Sequence, residues 1–200
     1  MGGTPDVLLF TDFSCKTLCE PILTMTSAAL VQSGLKPGRD FHLLVIGLRA
    51  NAEPAKARAF VRPQLDSRIA AATRILIADA PTLAAATHAL GYRYLYDAEH
   101  DQFAHPTAAF VLEKSGKLAA VLSAPGLRAT DVRLALLGAG TGAAETFADR
   151  LRLLCYCYDP ATGIYTASIG RLVDAAAVFT LLALAGGIWL LRRKEAERRT

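Results

Sequence analysis

Short apolar runs set off by polar turns give the chain its pattern. Val7-Leu8-Leu9-Phe10 predicts a buried strand, and the segment from Ile22 to Leu30 has the spacing of an amphipathic helix. Gly34 and Pro37-Gly38 stop that helix and turn the chain into a second buried strand, Phe41 to Gly47. Residues 53 to 62 read as a helix with Pro54 in its first turn, and Ile75-Leu76-Ile77 as a short strand. Asp79-Ala80-Pro81 opens a helix that runs to about Leu90 and stops at Gly91. Tyr92 to Tyr96 suits a strand or an extended loop, followed by a polar turn from Asp97 to Gln102. Thr107 to Leu112 and Lys117 to Leu122 are two strands joined through Glu113-Lys114-Ser115-Gly116, a hairpin signal. Thr130-Asp131 opens a last helix to about Leu137, and Gly138 to Thr141 reads as a flexible segment.

A strand–helix–strand–helix unit followed by a hairpin and a helix is the thioredoxin-like order. It predicts an α/β fold with a mixed sheet and helices on both faces.

The last thirty residues change the pattern. Leu172 to Leu191 is apolar on every face, with Asp174 its one charge. Twenty helical residues span about 30 Å, enough for one bilayer crossing. The predicted organisation is a domain over 1–140, a juxtamembrane linker over 141–171, a transmembrane helix over 172–191 and a basic tail over 192–200. Arg192, Arg193, Lys194, Arg198 and Arg199 follow the span while Arg171 alone precedes it, so the tail is expected in the cytoplasm and the domain on the other side. The tail carries +3 of the chain's formal +4, which leaves the domain near neutral. The pI of about 9.0 is therefore no argument for nucleic acid as a partner. An exported domain needs a signal, yet the chain opens MGGTPDVLLFTDF, without a basic n-region or a long apolar h-region. The expectation is a start codon further upstream.

The chemistry concentrates where the first strand gives way to the first helix. Phe10 to Pro21 holds Cys15 and Cys19, a C-x3-C pair whose spacing of four puts both sulfurs on one helical face. Such a pair can share a metal or oxidise to a disulfide, and a helix N-terminus favours the thiolate. In a thioredoxin-like order the loop before the terminal hairpin meets this helix start. That loop is Gln102-Phe103-Ala104-His105-Pro106, which brings His105 to the cysteines. Residues 105–116 resemble thioredoxin's proline–threonine–strand–turn, which implies a cis bond at Pro106. Two thiolates and an imidazole suit copper; a structural zinc site normally has four protein ligands, and iron–sulfur clusters take more cysteines. His42 at a strand start, His88 in a helix and His100 in a polar turn read as structural or solvated. Cys155 and Cys157 could bind Cu(I) as a C-x-C, but packing in a juxtamembrane helix with Leu151, Leu153 and Leu154 is the favoured reading.

With these residues in place, the chain resembles the Sco/SenC family of copper chaperones. Cys15, Cys19 and His105 match the family's C-x3-C motif and distant histidine. Gly38-Arg39-Asp40-Phe41, Gly91-Tyr92-Arg93-Tyr94, Phe103-Ala104-His105-Pro106 and the segment from Leu153 to Gly163 extend the likeness. The resemblance implies a copper site formed by Cys15, Cys19 and His105. It also implies delivery of copper to the dinuclear site of a cytochrome c oxidase subunit or another copper protein, and anchoring in a bacterial inner membrane with the domain on the periplasmic side. A thiol–disulfide reductase with Cys15 attacking and Cys19 resolving is the alternative, and an anchor with a structural disulfide and no metal is a third reading. Three departures stand out. Lys16 follows the first cysteine, Gly47 to Pro54 replaces the family's acidic-proline segment, and the family's extra N-terminal β-structure is absent from this chain.

Overall fold

The structure is a computed structural model that describes residues 3–15, 19–124, 127–140, 156–159, 164–167, 177–186 and 189. Strands β1 (Asp6–Thr11), β2 (His42–Gly47) and β3 (Thr73–Leu76) run parallel, and β6 (Ala108–Leu112) and β7 (Leu118–Ser123) are antiparallel to their neighbours. The sheet order is β3-β2-β1-β6-β7, which puts β1 at the centre. Helices α1 (Cys19–Gln32), α2 (Pro54–Val61), α3 (Ser67–Ala70), α4 (Ala80–Ala89) and α5 (Ala129–Ala139) connect the strands. A small hairpin of β4 (Leu95–Asp97) and β5 (Gln102–Ala104) stands between α4 and β6, and β8 (Tyr156–Asp159) pairs with β9 (Ile164–Ala167). The thioredoxin-like mixed sheet expected from the sequence is present.

The alternation within β1 sorts the core onto two faces. Val7 and Leu9 pack with Leu23 and Leu30 of α1, Val132 and Leu136 of α5, and Phe41. Leu8 and Phe10 face the other way, onto Leu83 of α4, Tyr92 and Phe110. With both faces covered, β1 has no polar alternation, and all six of its residues are buried. Helix α4 begins and ends as its sequence requires. Asp79 accepts a hydrogen bond from the Thr82 amide at 2.9 Å, and Gly91 takes the left-handed φ of 63° that closes the helix.

Several boundaries differ from the expectation. Gly138 lies inside α5 instead of in a flexible segment, because Leu134, Leu136 and Leu137 keep that turn packed on the core. The short α3 opens on an Asp66 cap that bonds the Arg68 amide at 2.9 Å, a local signal too brief to show as periodicity. Cys157 lies in strand β8, where a juxtamembrane helix was expected. That strand pairs antiparallel with β9, Tyr156 opposite Ala167 and Asp159 opposite Ile164. Cys155 and most of the linker lie outside the described residues, as does the tail. Among the described residues no helix is long and apolar enough to cross a membrane. Of the predicted span 172–191, residues 177–186 and 189 are described and helical, and Val178, Phe179, Leu181, Leu182 and Leu184 are all exposed.

Candidate metal centre

The carboxyl end of β1 builds the site. Thr11 and Asp12 are buried, and Asp12 Oδ1 accepts hydrogen bonds from the Ser14 amide at 2.9 Å and the Ser14 hydroxyl at 2.6 Å. The Cys15 amide donates back to Asp12 O at 3.0 Å. This Asx turn carries the chain out of the strand before any helix begins. Phe13, within the turn, lies over Gly47, where an added Cβ would meet its ring at 2.5 Å, so the crossing needs a residue without a side chain.

Cys15 therefore lies in the turn and outside any helix, and α1 is described from Cys19 onward. The Cys15 side chain lies beside the Cys19 thiol, to which it is hydrogen-bonded. Cys15 is partly exposed and Cys19 is buried. Burial pushes the Cys19 thiol up to about 12, and the hydrogen bond that its S–H donates to Cys15 adds to the rise. The Asp12 main chain and the nearby Thr11 side chain pull in the other direction and lose. The expected thiolate at a helix N-terminus is thus corrected for Cys19: desolvation outweighs the helix dipole. Thr11 Oγ1 and Asp12 Oδ2 are both buried without a hydrogen-bond partner of their own among the described residues.

His105 comes from the segment between β5 and β6, and the fold brings it across 86 positions of sequence to Cys19. Its Nε2 lies 3.4 Å from Cys19 Sγ. On the other side of the ring, Nδ1 is 2.8 Å from the Tyr92 hydroxyl and 3.2 Å from Pro106 O. Tyr92 donates its single proton to Pro106 O at 3.1 Å. A proton on Nδ1 satisfies this arrangement, Nδ1 donating to Tyr92 Oη, and leaves the Nε2 lone pair facing the Cys19 thiol. That is the tautomer a metal ligand needs. Tyr92 is itself fixed, stacked on Phe10 at 4.5 Å and edge-on to Phe110 at 5.6 Å, and burial holds its hydroxyl above its ordinary value. The described residues contain no cis peptide bond, so the cis bond implied at Pro106 is absent.

A second set of contacts holds the hairpin that leads into His105. Arg49, from the loop after β2, donates to Asp101 Oδ1 at 2.9 Å, and Tyr96 donates to the same oxygen at 2.6 Å. The Arg49 guanidinium also lies 5.6 Å from the ring centres of both Tyr96 and Phe103. Arg49 belongs to the segment from Gly47 to Pro54, which therefore has a structural use here.

Of the predicted site residues, the structure brings Cys19 and His105 into contact and puts Cys15 beside Cys19. It does not assemble the three into a finished cage: among the described residues no group of three or more His, Cys, Asp and Glu side chains is set to hold a metal ion. The other histidines behave as expected. His42 bonds Thr4 at 3.0 Å, His100 pairs with Asp97 at 2.7 Å, and His88 lies in α4. Sequence reasoning passed over Tyr92, Asp12 and Arg49. Tyr92 had a local signal, a tyrosine just after a helix-ending glycine; Arg49 and Asp12 had none.

No family model matches the chain, and no curated protein matches it by sequence. Solved structures do match. A candidate electron-transfer protein of Aquifex aeolicus superposes with a TM-score of 0.60 at 18% identity, covering 72% of this chain and 84% of that one. Copper-bound ScoI of Bradyrhizobium japonicum gives 0.53 at 16% identity, covering 67% and 83%. A SCO1/SenC family lipoprotein of Bacillus anthracis gives 0.50 at 19%, covering 60% and 71%. The fold is that of the Sco/SenC proteins. In this chain the end of the central strand, Cys19 of α1 and the segment before β6 come together, with Cys15, Cys19 and His105 on them.

Proposed function

We propose that this protein binds copper as cargo through Cys15, Cys19 and His105 and delivers it to the dinuclear copper site of a cytochrome c oxidase subunit or to another exported copper protein. The observation that carries the reading is the 3.4 Å approach of His105 Nε2 to Cys19 Sγ, with Tyr92 fixing the opposite nitrogen. Two sulfurs and an imidazole fit Cu(I) in three-coordination, or Cu(II) with one further ligand. Cys19 and His105 already stand together, and a movement of Cys15 from its contact with Cys19 completes the set. The copper-bound state of the Bradyrhizobium japonicum relative supports the metal's identity. Binding must displace the Cys19 proton, because the thiol is neutral up to about 12. Copper affinity accordingly rises with pH across the neutral range.

The apolar run 172–191 would anchor the domain in a bacterial inner membrane, with the basic tail in the cytoplasm and the copper site on the periplasmic side. Alkaline carbonate washing tests the anchor: a spanning chain stays in the membrane pellet, and recovery in the wash would contradict it.

The contact between the two thiols favours a second reading, thiol–disulfide exchange, in which the more exposed Cys15 attacks and Cys19 resolves. His105→Ala separates the two. Under the copper reading the variant loses tight copper binding and keeps the ability to form and reduce the Cys15–Cys19 disulfide. If copper binding survives the substitution unchanged, His105 is not a ligand and the reading fails.

A further inference from the structure

The unpaired edge of the sheet carries a second feature, independent of the cysteines. Strand β3 is the edge strand, bonded only to β2 among the described residues. The Leu43 amide donates to Ala72 O, and Leu43 is in register with Thr73. In a parallel ladder that phase turns the main-chain groups of Arg74 toward β2. It turns the N–H and C=O groups of Thr73 and Ile75 outward, where no strand of the described residues meets them.

Beside this edge opens a cleft of about 640 Å³, lined by Arg58, Arg62, Leu65, Ser67, Thr73 and Ile75. Arg58 and Arg62 are one helical turn apart on and just after α2, both exposed, and neither is paired with an acid among the described residues. Nearby acids are engaged elsewhere: Glu53 pairs with Lys56 at 3.1 Å and Asp66 with Arg68 at 2.8 Å. Charge is uneven in the same sense along the sequence. Residues 53–79 hold five basic and three acidic side chains, while the rest of 3–140 holds nine of each. The domain's entire positive excess therefore lies on the segment that ends in the free edge.

We propose that the β3 edge and the Arg58–Arg62 cleft dock an extended, acidic segment of a partner protein, which adds a strand to the sheet through Thr73 and Ile75 and places its carboxylates against the two guanidiniums. The strand pairing supplies direction and register, and the charges supply selectivity. The floor of the cleft also has apolar positions, Leu65 and Ile75, which suit the alternate side chains of an added strand. A small anion would use the guanidiniums alone.

The test uses the full-length chain and an end-blocked synthetic peptide that alternates glutamate and valine. The peptide should bind, its affinity should fall as salt is raised, and the amides of Thr73 and Ile75 should gain protection from hydrogen exchange. Arg58→Ala/Arg62→Ala, a change at two exposed positions, should weaken binding about tenfold. A peptide with lysine for glutamate, or with proline for the valines, should bind far more weakly. The proposal is overturned if the lysine peptide binds equally, if the double variant binds as the wild type does, or if Thr73 and Ile75 gain no protection. It is likewise overturned if inorganic phosphate displaces the peptide at equal concentration, which would make the cleft a simple anion site. None of these outcomes depends on copper.

Discussion

Cys19 shows how one buried side chain couples stability, protonation and ligand binding. In an unfolded chain its thiol ionises near 9.0, whereas in the fold burial raises it to about 12. The folded state thus holds the proton more tightly, so the stability tied to it is intact below pH 9 and is lost as pH rises toward 12. Denaturant midpoints of the wild type should fall over that range, by at most about 1.4 kcal/mol per pH unit from this group. Cys19→Ser, which does not ionise there, should remove that part of the slope; an unchanged slope would show that the thiol is not desolvated. Tyr92 is the other residue whose role goes through a neighbour. Tyr92→Phe keeps the ring between Phe10 and Phe110 and removes the hydroxyl that orients His105. Copper affinity in a competition titration should fall roughly 10- to 100-fold with the fold unchanged. The pair of cysteines and the distant histidine were readable in the sequence because the order of elements predicts where β1 ends. The thiol's protonation state was not readable, since it depends on how deeply the first turn of α1 sinks between the sheet and the His105 loop.

The hairpin of β4 and β5 is the element that delivers His105. It has little core of its own: Leu95 is 73% exposed and Tyr96 44% exposed. What fixes it is Arg49, reaching from a different loop to Asp101, Tyr96 and Phe103. Arg49→Ala should speed amide exchange across residues 95–104 while leaving β1, β2 and β6 as slow as before. Equal exchange in variant and wild type would mean that the ring contacts among Tyr94, Tyr96 and Phe103 suffice. Elements with strong periodicity or capping signals, such as β1, β2, α4 and the β6–β7 hairpin, stand close to where the sequence predicts them. The misjudged ones are short or held from afar. Helix α3 has four residues, β4 and β5 have three each, and the extent of α5 through Gly138 is decided by leucines packing on the sheet. A single sequence carries no pattern long enough to show such pieces.

At the scale of the whole molecule, β1 is covered on both sides and ends where three segments converge, which fixes the place of the site in the Sco/SenC fold. The charges are distributed to match: the tail holds most of the net positive charge, and the domain's small excess lies on residues 53–79, the segment that includes β3. The proposed copper site, the free edge and the apolar C-terminal run thus occupy separate parts of the chain and can be tested one at a time. For the central claim, the most direct measurement is a copper titration of the full-length, reduced protein under an inert atmosphere. The copper reading predicts uptake of one equivalent, with sulfur-to-copper absorption and, in the Cu(II) form, nitrogen hyperfine coupling that His105→Ala abolishes. Failure of the reduced protein to retain copper at stoichiometric addition would contradict it.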